Sequence, residues 1–375
     1  MVPPTAGRPG GLSGEEDGAE GGGRAFDHKE EHRRGVIESS GRGNSTQSME
    51  RGTPSERRLC SLVSRANGED PIGSAKPVEN RLIVELPQPW QRDAVGSRRL
   101  VEGLRPVVEG ARDGGLLAAF SAILPDREYS RKDHTRLLFL RRPSGPFAAY
   151  EKQDFLVPND ELVAAVGALL EGAGGLARFE RYRQETGRVR DLLVCTHGSR
   201  DICCGKFGYP VYDLLRRRHA ARGELRVWRT SHIGGHRFAP TMIDYPEGRY
   251  WGHLEPWAAE KVAARSGPVS DLGPFYRGWG GLRSPSEQVA EREIFALEGW
   301  AWTGYLKEGH VLASGDDRAE VRIVYRSRDG AVSGAYGATV EATGTVMTLE
   351  SSGNTELTEV GQYHVVRLER SPVGG

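Results

Sequence analysis

The sequence lacks the features that mark membrane, secreted and nucleic-acid-binding proteins. No apolar run approaches the roughly 18 residues needed to cross a bilayer. Residues 1–25 are rich in glycine and charge and contain no apolar core of a signal peptide. Lysine plus arginine equals aspartate plus glutamate at 51 each, so net charge favours neither nucleic acid nor an anionic membrane. We therefore expect neither nucleic acid nor a membrane as a partner.

Cysteine is also scarce, with four in 375 residues. So few cysteines make a poor disulfide framework for a chain of this length, which indicates a reducing compartment and predicts a cytoplasmic protein. Three of the four nevertheless lie close in sequence to a histidine pair: Cys195, Cys203, Cys204, His232 and His236. Thiolate and imidazole together are the ligands that hold zinc or iron–sulfur clusters, so this region predicts a metal site.

Composition divides the chain into four segments. Residues 1–55 are mostly glycine, serine, glutamate and arginine without periodicity, and we expect a disordered tail. Residues 56–180 and 181–270 mix apolar strand and helix patterns and predict two α/β halves, the second carrying the cysteine and histidine cluster. Residues 285–375 contain alternating segments with Gly, Asp and Ser turns and predict a separate, mostly antiparallel β module without chemistry of its own.

The second α/β half has the order strand, helix, strand, hairpin, helix. Residues 191–195 form its first strand, and a cysteine loop then leads to a helix over 210–218 that has Pro210 in its first turn. The first half has its own strand (80–87), hairpin and capped helix, and residues 97–124 predict helical segments interrupted by proline and glycine. The order of elements in the second half is typical of a thioredoxin-like layer. The first half is expected to be a diverged copy of the second, without ligands.

The histidine pair is predicted to lie on a loop. Ile-Gly-Gly separates His232 from His236, and each glycine costs a helix about 1 kcal/mol. A zinc hydrolase motif would instead place a glutamate beside the first histidine of a helical pair. The sequence therefore argues against a glutamate-assisted hydrolase.

Only one of Cys203 and Cys204 is expected to reach the metal, because adjacent residues direct their side chains apart. The other, together with His197, Arg200 and Asp201, is expected to surround the ligands and tune their charge. His197 makes half of a Rieske motif, but the matching Cys-x2-His is missing from the sequence. Cys60 is interpreted as a small buried apolar residue.

Three segments of the sequence resemble the sucrase/ferredoxin-like family. They are CSLVSRANGEDPIGSA, CTHGSRDICCGKFGYPVYDLL and WRTSHIGGHRFAPTMIDYPEGRYWGHL, and the similarity spans roughly residues 58–265. Members of that family are thioredoxin-like ferredoxins in which two cysteines and two histidines hold a 2Fe-2S cluster. The resemblance implies Cys195, Cys204, His232 and His236 as the ligands here, with Cys203 as the additional neighbouring cysteine.

On this basis we expect an electron carrier that serves redox donor and acceptor proteins, rather than an enzyme with its own substrate pocket. Reduction coupled to protonation of His232 or His236 is a further hypothesis, because a ligating imidazole keeps a second nitrogen. Two other classes remain open. One is a binding module in which the same ligands hold zinc, and the other is a thioredoxin-like thiol oxidoreductase, against which the absence of a Cys-x2-Cys motif argues.

Overall fold

The computed structural model describes residues 58–221 and 223–372, and the tail expected over residues 1–55 lies outside them. The helices there are α1 (Cys60–Ala66), α2 (Leu104–Asp113), α3 (Leu162–Glu171), α4 (Ala173–Leu176), α5 (Ile202–Arg218), α6 (Pro256–Ala264) and α7 (Pro285–Glu298). The strands are β1 (Asn80–Glu85), β2 (Ala119–Ile123), β3 (His134–Arg141), β4 (Glu151–Pro158), β5 (Arg190–Cys195), β6 (Leu225–Thr230), β7 (Met242–Tyr245), β8 (Arg249–Trp251), β9 (Tyr276–Trp279), β10 (Leu306–Ser314), β11 (Arg318–Arg326), β12 (Ser333–Thr348) and β13 (Thr358–Ser371). None of these helices is long and apolar enough to cross a membrane.

The first nine strands form one mixed sheet in the order β4-β3-β1-β2-β6-β5-β7-β8-β9. In the first half β1 pairs parallel with β2 and antiparallel with β3, which pairs antiparallel with β4. The second half repeats this arrangement, with β5 parallel to β6, antiparallel to β7, and β7 antiparallel to β8. A single antiparallel pair, Ile123 with Thr230, joins the halves. The repeated pairing is the pattern that two diverged copies of one α/β unit would show, while the domain limits drawn from the sequence stay predictions.

Buried charges hold the two halves together. Arg226 on β6 donates from Nη1 to Asp154 on β4 over 2.9 Å and from Nε to Asp191 on β5 over 2.7 Å. Lys152 on β4 donates to the same Asp191 over 2.5 Å. All four side chains are nearly inaccessible to water. Removing one partner would leave a buried charge without a counterion, at a cost of about 3–5 kcal/mol.

The helices cover the sheet with apolar faces. In the first half, Leu104 and Val108 of α2 and Val166 of α3 are fully buried against the strands. Burying one such side chain contributes about 1.5–3 kcal/mol. In the second half, Val211 and Leu215 of α5 pack against the strands that precede the cysteine and histidine loops. The core therefore fixes the positions at which those loops begin.

Two predicted helical regions differ from the structure. Residues 119–123, included in the helical segments expected over 97–124, form the buried strand β2 beside β1. A short continuous apolar run is compatible with a buried strand or a helix, so periodicity alone could not separate them. Helix α5 begins at Ile202 rather than at Pro210, so Cys203 and Cys204 lie in its first turn rather than in a loop. Pro210 lies in the helix interior.

The C-terminal part is a separate four-stranded antiparallel sheet in the order β10-β11-β12-β13, as the alternating pattern predicted. Strand β10 was not expected, and the two segments expected at 338–342 and 344–349 form the single strand β12. A register shift between Ala342 and Gly344 marks the point where the pattern appeared to break, since a bulge interrupts alternation without ending a strand.

Candidate metal centre

The cysteines and histidines meet because β5 and β6 run parallel. Cys195, the last residue of β5, pairs in register with Thr230, the last residue of β6. Helix α5 follows the first of these strand ends, and His232 lies two residues beyond the second. Carboxyl ends of parallel strands share one edge of a sheet, so residues 37 positions apart in sequence converge there.

Asp201 and Gly208 place Cys204 beside Cys195. The Asp201 carboxylate caps α5 by accepting a hydrogen bond from the backbone N–H of Cys203 over 2.9 Å. Cys204, Gly208, Val211 and Leu215 form the buried helix face that contacts the sheet. A Cβ atom at position 208 would overlap the carbonyl oxygen of Cys195 and lie 3.0 Å from its carbonyl carbon. The close approach of helix and strand therefore requires glycine at 208.

Three of the four predicted ligands converge. One ligand atom from each of Cys195, Cys204 and His232 lies within 4.8 Å of the others. Two thiolates that bind one tetrahedral ion at about 2.3 Å would lie about 3.8 Å apart, so this spacing suits a shared metal centre. Both cysteines are buried, and the Nδ1 atom of His232 is buried without a hydrogen-bond partner in the described part of the chain.

The electrostatics of this group favour a thiolate. A hydrogen bond from Cys204 and another from His232 lower the pKa of Cys195 well below its ordinary value, although burial opposes the shift. The same interaction with Cys195, with burial, raises the pKa of Cys204. Because metals bind cysteine as the thiolate, the lowered pKa of Cys195 suits that residue to bind a cation.

The fourth predicted ligand, His236, lies next to this group but faces a second one. Its ring centroid is 5.5 Å from that of His232. Its Nδ1 atom lies 3.5 Å from the Sγ of Cys60 and 3.5 Å from a carboxylate oxygen of Asp201. Burial lowers the pKa of His236, which favours a neutral imidazole. A neutral imidazole whose Nδ1 faces a carboxylate has Nε2 free to bind a metal.

Of the residues expected to surround the ligands, His197 has both ring nitrogens in use. Its Nε2 contacts the backbone oxygen of Gln91 over 2.8 Å, and its Nδ1 accepts from the backbone N–H of His232 over 3.0 Å. Burial lowers the pKa of His197. The histidine therefore positions the His232 loop. Arg200 lines a cavity of about 230 Å³ together with His232, Arg92 and Arg112.

Arg277 supports the histidine loop, and no sequence pattern pointed to it. It is 2% exposed and donates to the backbone oxygen of Gly234 over 3.0 Å. Gly234 and Gly235 have positive φ angles of 91° and 71°, and a side chain at 235 would collide with the Arg277 guanidinium. Burial lowers the pKa of Arg277 to about 10.

Two more residues reach the site from distant parts of the sequence. Cys60, interpreted as an apolar packing residue, lies among polar atoms of Asp201, Cys203 and His236. Ser352, from the loop between β12 and β13, donates its backbone N–H to Asp201 over 2.9 Å. The position of Cys60 within one of the three family-like segments was the only sequence feature that connected it with the site. The C-terminal β module gave none.

The donor set fits either an iron–sulfur cluster or zinc, because two thiols and two imidazoles suit both. The family model described as sucrase/ferredoxin-like matches residues 71–278, more than half of the chain. That range covers all four predicted ligands and extends into β9.

Two curated relatives are both named altered inheritance of mitochondria protein 32. The protein from Debaryomyces hansenii is 36% identical over 78 residues, which cover 19% of this chain and 28% of that protein. The protein from Meyerozyma guilliermondii is 25% identical over 146 residues, which cover 36% of this chain and 52% of that protein. The chain thus spans about half or less of these relatives. No solved structure matches it.

Proposed function

The chain belongs to the sucrase/ferredoxin-like family, and on that premise we propose that it is an electron-transfer protein that holds one 2Fe-2S cluster through Cys195, Cys204, His232 and His236. The observation that carries the proposal is the convergence of Cys195, Cys204 and His232 within 4.8 Å, with His236 beside them. The bound cluster would supply reversible one-electron transfer.

The chain's own residues would tune that transfer through charge. Two ferric ions, two sulfides and two thiolates sum to zero charge, whereas four thiolates would leave two negative charges. Neutral histidines therefore make reduction easier. The carboxylate of Asp201 beside Nδ1 of His236 would orient that imidazole and increase its basicity. Coupling of reduction to protonation of His232 or His236 stays a prediction, which a midpoint potential independent of pH would contradict.

The cavity beside His232 is the proposed contact point for a redox partner. Arg92, Arg112 and Arg200 line it, and Asp93 is the single acidic residue among its lining residues. A partner that presents carboxylates would be attracted to this rim, mainly through a faster association rate at low salt. The cytoplasmic location stays a prediction.

Metal analysis tests the proposal. The protein is purified anaerobically, its visible spectrum is recorded, iron, sulfide and zinc are measured, and an EPR spectrum is taken after dithionite reduction. We expect two irons and two sulfides per chain and a reduced 2Fe-2S signal. A colourless protein with stoichiometric zinc would show the zinc-binding alternative instead, and a metal-free protein with titratable thiols would favour a thiol oxidoreductase.

Ligand exchange tests the assignment of the histidines. His232→Cys and His236→Cys should each retain a cluster and lower its midpoint potential, because each replaces a neutral ligand with an anionic one. His310→Cys, at an exposed position of β10, is the matched control and should leave the potential unchanged. An unchanged potential in both histidine variants would contradict the assignment.

A further inference from the structure

Cys60 and Cys203 form a second cysteine pair beside the proposed metal ligands. Their Sγ atoms lie 3.7 Å apart, and both side chains are completely buried. Cys60 is the first residue of α1, and Cys203 lies in the first turn of α5. Two residues 143 positions apart in the sequence therefore place their thiols in contact.

The surroundings of this pair are unusual for cysteines that only fill space. The hydroxyl of Ser352 lies 3.2 Å from the sulfur of Cys203 and 3.3 Å from that of Cys60. A carboxylate oxygen of Asp201 lies 3.7 Å from the Cys60 sulfur. Apolar contacts come from Ala239 and Leu349. Hydrogen-bonding groups that touch both sulfurs can donate and accept protons when the sulfurs react.

The four cysteines thus divide into two pairs that face different groups. Cys204 contacts Cys195 and His232, whereas its neighbour Cys203 contacts Cys60. Adjacent residues of a helix point about 100° apart, which is why one turn of α5 can serve both pairs. A bond between the neighbours Cys203 and Cys204 would be strained, so Cys60 is the available partner for Cys203.

We propose that Cys60 and Cys203 are a redox-active dithiol that closes to a disulfide when a two-electron oxidant of the peroxide class reaches it. Closure requires the two sulfurs to approach by about 1.7 Å, from contact to a bond of about 2.0 Å. Ser352, whose hydroxyl touches both sulfurs, is itself half-buried and lies in the loop between β12 and β13. The Cys60 sulfur also lies 3.5 Å from Nδ1 of His236, but the proposed closure uses only the two sulfurs and the oxidant.

The chemistry balances in two steps. One thiol sulfur attacks hydrogen peroxide and loses its proton; the O–O bond breaks, and a sulfenic acid and one water result. The second sulfur then attacks the sulfenic sulfur, an S–S bond forms, and the hydroxyl leaves with the second thiol proton as another water. Two thiols lose two electrons in total, and one peroxide is reduced to two waters.

Peptide mapping of the full chain tests the proposal. The protein is treated with stoichiometric hydrogen peroxide, free thiols are alkylated, and trypsin is added. Cleavage after arginine and lysine separates Cys60, Cys195 and the Cys203–Cys204 pair into peptides 59–65, 191–200 and 201–206. We expect a cross-link between 59–65 and 201–206 that rises at least tenfold with peroxide and disappears with dithiothreitol.

Variants identify the sulfur involved. Cys203→Ser and Cys60→Ser should each abolish the cross-link, whereas Cys195→Ser should retain it. Mapping of the unaltered protein gives a result even if one variant does not fold. The proposal is overturned if both thiols remain alkylated after peroxide, if 201–206 links only to 191–200, or if added zinc protects Cys60 and Cys203 in the untreated protein. Iron and sulfide content of the same samples reports separately on the proposed cluster.

Discussion

Gly208 offers a direct test of how α5 and β5 build the proposed metal centre. The substitution Gly208→Ala adds one methyl group in the helix interior, where alanine is intrinsically better than glycine by about 1 kcal/mol. At this position, however, the new Cβ would overlap the carbonyl oxygen of Cys195. Helix propensity and packing therefore predict opposite signs, and the structure predicts that packing prevails.

The magnitude follows from the overlap. The overlap with the carbonyl oxygen of Cys195 is more severe than the 3.0 Å approach to its carbonyl carbon, so α5 must retreat by about 1 Å or more to restore an ordinary contact. Overpacking of this kind costs about 1–3 kcal/mol. Because Cys204 lies one turn earlier on the same helix, the retreat also separates it from Cys195, and we expect lower iron occupancy.

Gly110 is the matched control. It lies inside α2, and a Cβ there meets nothing within 4 Å, so Gly110→Ala should raise the free energy of unfolding by up to about 1 kcal/mol. Urea unfolding followed by circular dichroism, with iron analysis of the same preparations, compares the two variants. If Gly208→Ala is as stable as Gly110→Ala and binds as much iron, the contact between α5 and Cys195 does not constrain the site.

Two further predictions concern buried polar groups. Burial, with Arg65 and Arg277 nearby, lowers the pKa of His253 to about 3. Below about pH 6.5 the unfolded chain binds a proton at this histidine that the native state does not bind. The free energy of unfolding should therefore fall by about 1.4 kcal/mol per pH unit as the pH is lowered towards 3. In denaturant titrations, the free energy of unfolding of His253→Gln should depend less steeply on pH, and an equal dependence would refute the assignment. Asp201→Ala should lower the free energy of unfolding by about 2 kcal/mol, because α5 loses its cap and Ser352 two hydrogen bonds. Asp201→Asn keeps a capping oxygen and should lose less, and chemical denaturation showing no difference between these two variants would contradict this account.

Much of the fold was predictable where local patterns are strong. The apolar run ending at Cys195 correctly predicted β5. Residues 119–123 were predicted to be helical but form β2, because a run of five buried residues is compatible with either a strand or a helix. The sequence analysis predicted that α5 begins at Pro210, because proline is common in the first turn of a helix. The helical spacing of the buried residues Cys204, Gly208, Val211 and Leu215 was the signal for the earlier start.

The sequence alone predicted a soft-metal site and named the residues that are proposed to form it. Thiol and imidazole side chains select soft metals regardless of fold, and the spacing of Cys195, Cys204, His232 and His236 resembled one family. The partners that each residue meets depend on the tertiary structure. It brought Cys60 and Ser352 to Asp201, gave Cys203 and Cys204 separate neighbours, and placed Arg277 under the histidine loop. The reason is physical: a local pattern encodes the direction of a side chain within its own helix or strand, whereas contacts over hundreds of residues depend on how sheets and helices pack.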